Sequence, residues 1–71
     1  MDRYYFNKVF KEERLKKNMS QTVFGKKLGV TYPTISLIER NKYTPTMRMI
    51  IRFCKVFNYN IEFVPLASPS L

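Results

Sequence analysis

Apolar residues recur at three- and four-residue steps through most of the chain and at two-residue steps only near its end. Residues 4–17, YYFNKVFKEERLKK, carry apolar side chains at 6, 9 and 10 and again at Leu15, with charges between them. That is the spacing of an amphipathic helix. Asn18 is a suitable stop, and Ser20 is a suitable N-cap for a short second helix whose Phe24 and Leu28 share a face. Gly29 then ends it, since glycine reaches positive φ without steric cost. A third helix begins at Thr31 or Tyr32 and runs to about Arg40, with Ile35 and Ile38 inward. A polar turn, RNKYTP, leads to Thr46 as N-cap of a fourth helix, with Asn41 as a left-handed cap before it. The fourth helix presents Met47, Ile50, Cys54 and Phe57 as its stripe and stops at Asn58.

The start of the third helix, TYPT, holds a conflict. Proline in a first helical turn loses no internal hydrogen bond, but the residue before it disfavours helical angles. With Tyr32 as cap, Pro33 would fit without strain; with Thr31 as cap, Tyr32 must accept it. After Asn58 the period changes. YNIEFVP alternates, which favours a short strand, although Ile61 and Val64 would also permit one more helical turn. The last stretch, LASPSL, is expected to be a disordered tail, placing one domain at residues 1–64 and the tail at 65–71.

Seventy-one residues make one small, marginally stable domain. Its single cysteine cannot form an internal disulfide, and the chain has no histidine for a zinc site, so dimerisation is the natural reinforcement. Cys54 falls on a core stripe and fits a reducing compartment. Thirteen Lys and Arg stand against five Asp and Glu, giving +8. The excess is concentrated: residues 14–55 hold ten basic side chains and one acid, Glu39. Such a field attracts polyanions, whether nucleic acid or an acidic membrane surface. No stretch resembles a signal peptide or a membrane span, which points to a soluble, cytoplasmic protein. With no histidine, no glycine-rich phosphate loop and no spaced carboxylate pair, no enzymatic activity, cofactor or metal is expected.

Residues 20–40 are the informative stretch. Two short helices joined by a glycine-containing turn form the helix-turn-helix pattern. Phe24, Leu28, Val30, Ile35 and Ile38 would share a core, so that the outer face of the second helix projects as a rod of major-groove width. SQTVFGKKLGVTYPTISLIERNKYTPT resembles the helix-turn-helix core of the phage-repressor family, also called Xre or Cro-like. The match covers roughly residues 6–58: Ser20-Gln21 open the second helix, Gly29-Val30 make the turn, Thr34-Ile35-Ser36 lie in the reading helix and Ile38-Glu39 close it. Gly25 departs from the family's preference for alanine, and Asn41 from a common glycine.

The resemblance implies an all-α, four- to five-helix, lambda-repressor-like domain that binds double-stranded DNA and regulates transcription, most often as a dimeric repressor. Position by position, it implies base-edge contacts from Tyr32, Pro33, Thr34, Ser36 and Leu37 on the helix 31–40. It implies phosphate contacts from Ser20, Gln21, Arg40, Asn41, Lys42, Tyr43 and Thr44. Arg14 and Glu39 are implied to pair structurally between the first and third helices. The reading residues include neither Arg for guanine nor Asn or Gln for adenine before Arg40. A ring, a proline and a leucine suit thymine methyls and groove shape, so T-rich half-sites are expected. The homodimer, on a near-palindromic operator, is expected to form through Tyr59, Ile61, Phe63 and Val64 as a short C-terminal β-strand. The competing reading is an antitoxin: the tail is similar to the C-terminal strand of HipB-like antitoxins, which would add a toxin protein as partner. Membrane association is disfavoured because the apolar faces are needed for the core.

Overall fold

The computed structural model describes residues 3–65 and contains four helices: α1 (Tyr5–Lys16), α2 (Gln21–Leu28), α3 (Tyr32–Glu39) and α4 (Met47–Phe57). Their starts and stops follow local chemistry. The Ser20 hydroxyl accepts the Val23 amide at 3.1 Å, and the Thr46 hydroxyl accepts that of Met49 at 3.2 Å. Each helix is followed by a residue in the left-handed region: Asn18, Gly29, Asn41 and Asn58. Behind the first three, paired backbone bonds close the helix end, as in Met19 N–H to Arg14 C=O with Asn18 N–H to Leu15 C=O. Thr31 is the cap of α3, which leaves Tyr32 and Pro33 in the first turn. Its side chain makes no capping bond, and Pro33 has no N–H to offer at one of the two amides a cap hydroxyl ordinarily meets.

Phe10, Phe24, Leu28, Ile35, Ile38, Met49, Ile50 and Phe53 form the buried core. Phe10 and Phe53 stack with centroids 4.4 Å apart, while Phe24 meets Phe10 edge-on at 6.1 Å and stacks on Phe57 at 5.3 Å. This aromatic centre joins α1, α2 and α4, and Ile35 and Ile38 bring α3 against it. Gly25 shows how closely the helix-turn-helix packs. A β-carbon there would lie 2.7 Å from the Val30 carbonyl oxygen and 3.3 Å from Ile35 Cγ1. Glycine costs helix propensity at this position, but the turn runs through the space a side chain would fill. The Arg52 guanidinium of α4 donates to the Lys27 carbonyl at 2.9 Å, satisfying one orphan acceptor at the end of α2.

Three expectations need correction. The inward face of α4 is Met49, Ile50 and Phe53, with Cys54 and Phe57 partly buried beside them, whereas Met47 is 62% exposed. The 47-50-54-57 and 49-50-53-57 sets both satisfy helical spacing. The second lies roughly 60° around the helix and turns Phe53 into the aromatic centre. On α1, Leu15 is 53% exposed because it sits five residues beyond Phe10, about 140° around the helix. Residues 59–65 form neither strand nor helical turn. No strand lies among the described residues for this segment to pair with, and Tyr59 bends back on the body instead. The expected tail falls outside the described residues except for Pro65.

Two polar side chains lie in the interior that periodicity assigns to apolar ones: Asn7 and Glu13. Glu13 accepts the Tyr59 hydroxyl at 2.7 Å and approaches Lys17 Nζ at 3.6 Å. The bond to Glu13 holds the Tyr59 pKa above its ordinary value, with desolvation and the Glu13 charge adding to it. Asn7 Nδ2 donates to the carbonyls of Ile38 at 2.9 Å and Tyr43 at 2.8 Å. Its Oδ1 has no donor among the described residues. An unsatisfied buried acceptor costs about 1–3 kcal/mol, so the contacts of the Nδ2 group must offset it.

Candidate nucleic-acid interface

The helix α3 is eight residues, about 12 Å long. Ile35 and Ile38 are buried at 1% and 0%, which fixes the rotation of the helix about its own axis. The residues off that face are therefore presented outward as a set. Tyr32, Pro33 and Leu37 are exposed; Thr34 and Ser36 are half-buried. Tyr32, at 56% exposure, is the largest side chain of the group. All five positions expected to read bases thus share one short element and have solvent access. Their exposed surface is largely apolar, carried by a ring, a proline and a leucine rather than by amides or guanidinium groups.

Behind α3 stands a polar clamp. Arg14 Nε and Nη2 donate to the two Glu39 carboxylate oxygens at 2.5 and 3.0 Å, and Arg14 Nη1 donates to the Met19 carbonyl at 2.8 Å. Gln21 Nε2 donates to Glu39 Oε1 at 3.2 Å. One carboxylate at the end of α3 therefore ties α1, the α1–α2 turn and the start of α2 together. The pair is shielded, with side-chain exposures of 14% and 6%. Bidentate, partly desolvated pairs of this kind set orientation, and removing one partner strands the other's charge. The Gln21 amide is engaged here, and the Ser20 hydroxyl is occupied as a cap. The donors left at the start of α2 for an anion are the Ser20 O–H, the second Gln21 amide hydrogen and the first backbone amides, at the positive end of the helix dipole.

The loop after α3 completes the surface. Arg40, Asn41, Lys42, Tyr43 and Thr44 are all exposed. Asn41 at φ 60 reverses the chain, and the Lys42 amide closes on the Leu37 carbonyl at 2.8 Å. Arg40 Nε rests on the Ser36 carbonyl at 3.3 Å, which lays its guanidinium along the 32–36–40 row. The expected base-reading and phosphate-binding residues after Thr31 therefore lie on α3 and the loop directly after it, each exposed or half-buried. Tyr59, Ile61, Phe63 and Val64 are separate from them and follow α4; Phe63 is 94% exposed. Asn7 bonds to both the end of α3 and this loop, and nothing in the sequence around it marks that role.

A family profile described as helix-turn-helix matches residues 10–64. The chain belongs to the Xre-type helix-turn-helix family. It is similar to an uncharacterised HTH-type transcriptional regulator of Archaeoglobus fulgidus, with 40% identity over 52 residues, 73% of each chain. A second such regulator, from Bacillus subtilis, is 38% identical over 58 residues, covering 82% of this chain and 86% of the relative. A third, from Methanocaldococcus jannaschii, is 40% identical over 45 residues, 63% of this chain and 68% of its own. No solved structure matches closely. The match includes the clamp, both helices of the motif and the loop; among the described residues no helix is long and apolar enough to cross a membrane.

Proposed function

We propose that this chain is a sequence-specific, double-stranded DNA-binding regulator of transcription that places α3 in the major groove and acts as a dimeric repressor. The observation that carries the reading is α3 itself. One face is locked into the core by Ile35 and Ile38, its end is clamped by Arg14 and Gln21, and its other face is solvent-accessible beside a basic loop. Membership of the helix-turn-helix family and relatives named as transcriptional regulators support it. In this reading Tyr32, Pro33, Thr34, Ser36 and Leu37 meet base edges, chiefly thymine methyls, while Arg40, Lys42 and the amides near Ser20 and Gln21 meet phosphates.

The dimer contact in this proposal is the apolar surface of Ile61, Phe63 and Val64, held in place by Tyr59. A two-fold dimer sets its reading helices about 34 Å apart on a near-palindromic site. The described residues add nothing to the antitoxin alternative, which stands on the alternation of the tail alone. Binding is tested by fluorescence anisotropy with a mixed-sequence duplex at rising salt. The affinity should fall with a log–log slope of about −0.9 for each phosphate neutralised. A flat salt response, or equal binding to an unrelated anionic polymer under every condition, contradicts the proposal.

A further inference from the structure

The two bonds made by Asn7 converge on α3 and its loop from behind. Its Nδ2 group spans 31 residues to the carbonyl of Ile38, in the last turn of α3, and 36 residues to that of Tyr43, in the loop. The residue is 1% exposed, and its amide orientation is settled by chemistry: the reverse would set its oxygen against two carbonyl oxygens. Arg14 and Gln21 hold the Glu39 carboxylate, but neither reaches the loop. Asn7 has a bond to the backbone on each side of residues 39–42, where Asn41 reverses the chain.

We infer that Asn7 is a positioning residue for DNA binding, setting the distance between the reading helix and the loop that grips the phosphate backbone. This rests on the DNA-binding reading above. An apolar side chain would fill the same volume and remove the unpartnered Oδ1, but it would leave the spacing of helix and loop unspecified. Lys42 and Tyr43 are useful to a rigid duplex only if their backbone stands at a fixed offset from α3. The duplex repeats its phosphates at fixed intervals, so a loop that wanders loses affinity for all sequences alike.

The test is Asn7→Leu, compared with the wild-type chain well below both thermal midpoints, so that folded protein is measured. Affinity should weaken by about tenfold on every duplex, with the ranking of sequences unchanged. The salt slope should shrink by about 0.9, one phosphate contact. A merely structural role moves the midpoint and leaves affinity and slope of the folded protein as they were; that outcome overturns the inference while the DNA-binding reading stands. Absence of any DNA binding by the wild-type chain overturns both. If Asn7→Leu does not fold, the wild-type chain decides by NMR. Backbone order parameters at residues 42–44 should match rigid backbone, about 0.85. Values below about 0.6 there show a loop that is not held, and contradict the inference.

Discussion

Gly25 and Glu39 act in opposite ways, one by lacking a side chain and the other by having a charged one. At Gly25 the turn between α2 and α3 passes 2.7 Å from where a β-carbon would be. Gly25→Ala should therefore destabilise the domain by about 1–3 kcal/mol despite better helix propensity. Thermal unfolding checks the sign, and an unchanged or higher midpoint would show that the turn yields. Glu39 accepts three side-chain hydrogen bonds, two from Arg14 and one from Gln21. Glu39→Ala strands the Arg14 guanidinium in a shielded site, so the loss should reach about 3 kcal/mol. The midpoint should drop while the folded fraction still binds DNA. A steady midpoint with collapsed binding would instead make Glu39 part of the interface.

At the scale of the element, the proposal divides base reading and phosphate binding between α3 and the following loop. Tyr32 opens the helix and is exposed, so Tyr32→Ala should change which sequence is preferred, with a penalty of about 1–3 kcal/mol at one base position. Lys42 sits in the loop, so Lys42→Ala should weaken all sequences alike and reduce the salt slope by about 0.9. Competition binding against a panel of single-base variants separates the two; identical profiles for both substitutions would break the division. Helix boundaries were legible in the sequence because caps are local. Ser20, Gly29, Asn41, Thr46 and Asn58 each mark an end through their own backbone or hydroxyl. The face of α4 was not, because two overlapping stripes satisfy the same periodicity and only contact with Phe10 and Phe24 selects Phe53. Asn7 and Glu13 were hidden for a related reason. Their side-chain hydrogen-bond partners lie 31 to 46 residues away, and the one neighbour in the chain, Lys17 beside Glu13, is an exposed cation that does not signal burial. The exposed residues of α3 and its loop were legible through their resemblance to a known motif, while the clamp's reach to Met19 was not.

At the scale of the whole molecule, the proposed dimer would cover an apolar segment that a single copy leaves exposed. Ile61, Phe63 and Val64 are 41%, 94% and 73% exposed, next to an apolar groove of about 340 Å³ lined by Tyr5, Phe6, Val9, Ile50 and Phe53. Truncation after Asn58 should give a monomer with weaker operator binding; sedimentation that still reports a dimer would place the contact elsewhere. The charge distribution points the same way as the fold. Ten basic residues against one acid between positions 14 and 55 give the helix-turn-helix region a positive field, and the single acid is consumed in the Arg14 clamp. In the proposed function a dimer of this chain reads a specific duplex with α3. Selection from a random duplex pool tests it most directly. Enrichment of a near-palindrome is expected, with T-rich half-sites about 10 base pairs apart centre to centre, shifted by Tyr32→Ala. A pool that emerges unenriched, or a site whose sequence is indifferent to residues 32–37, would contradict it.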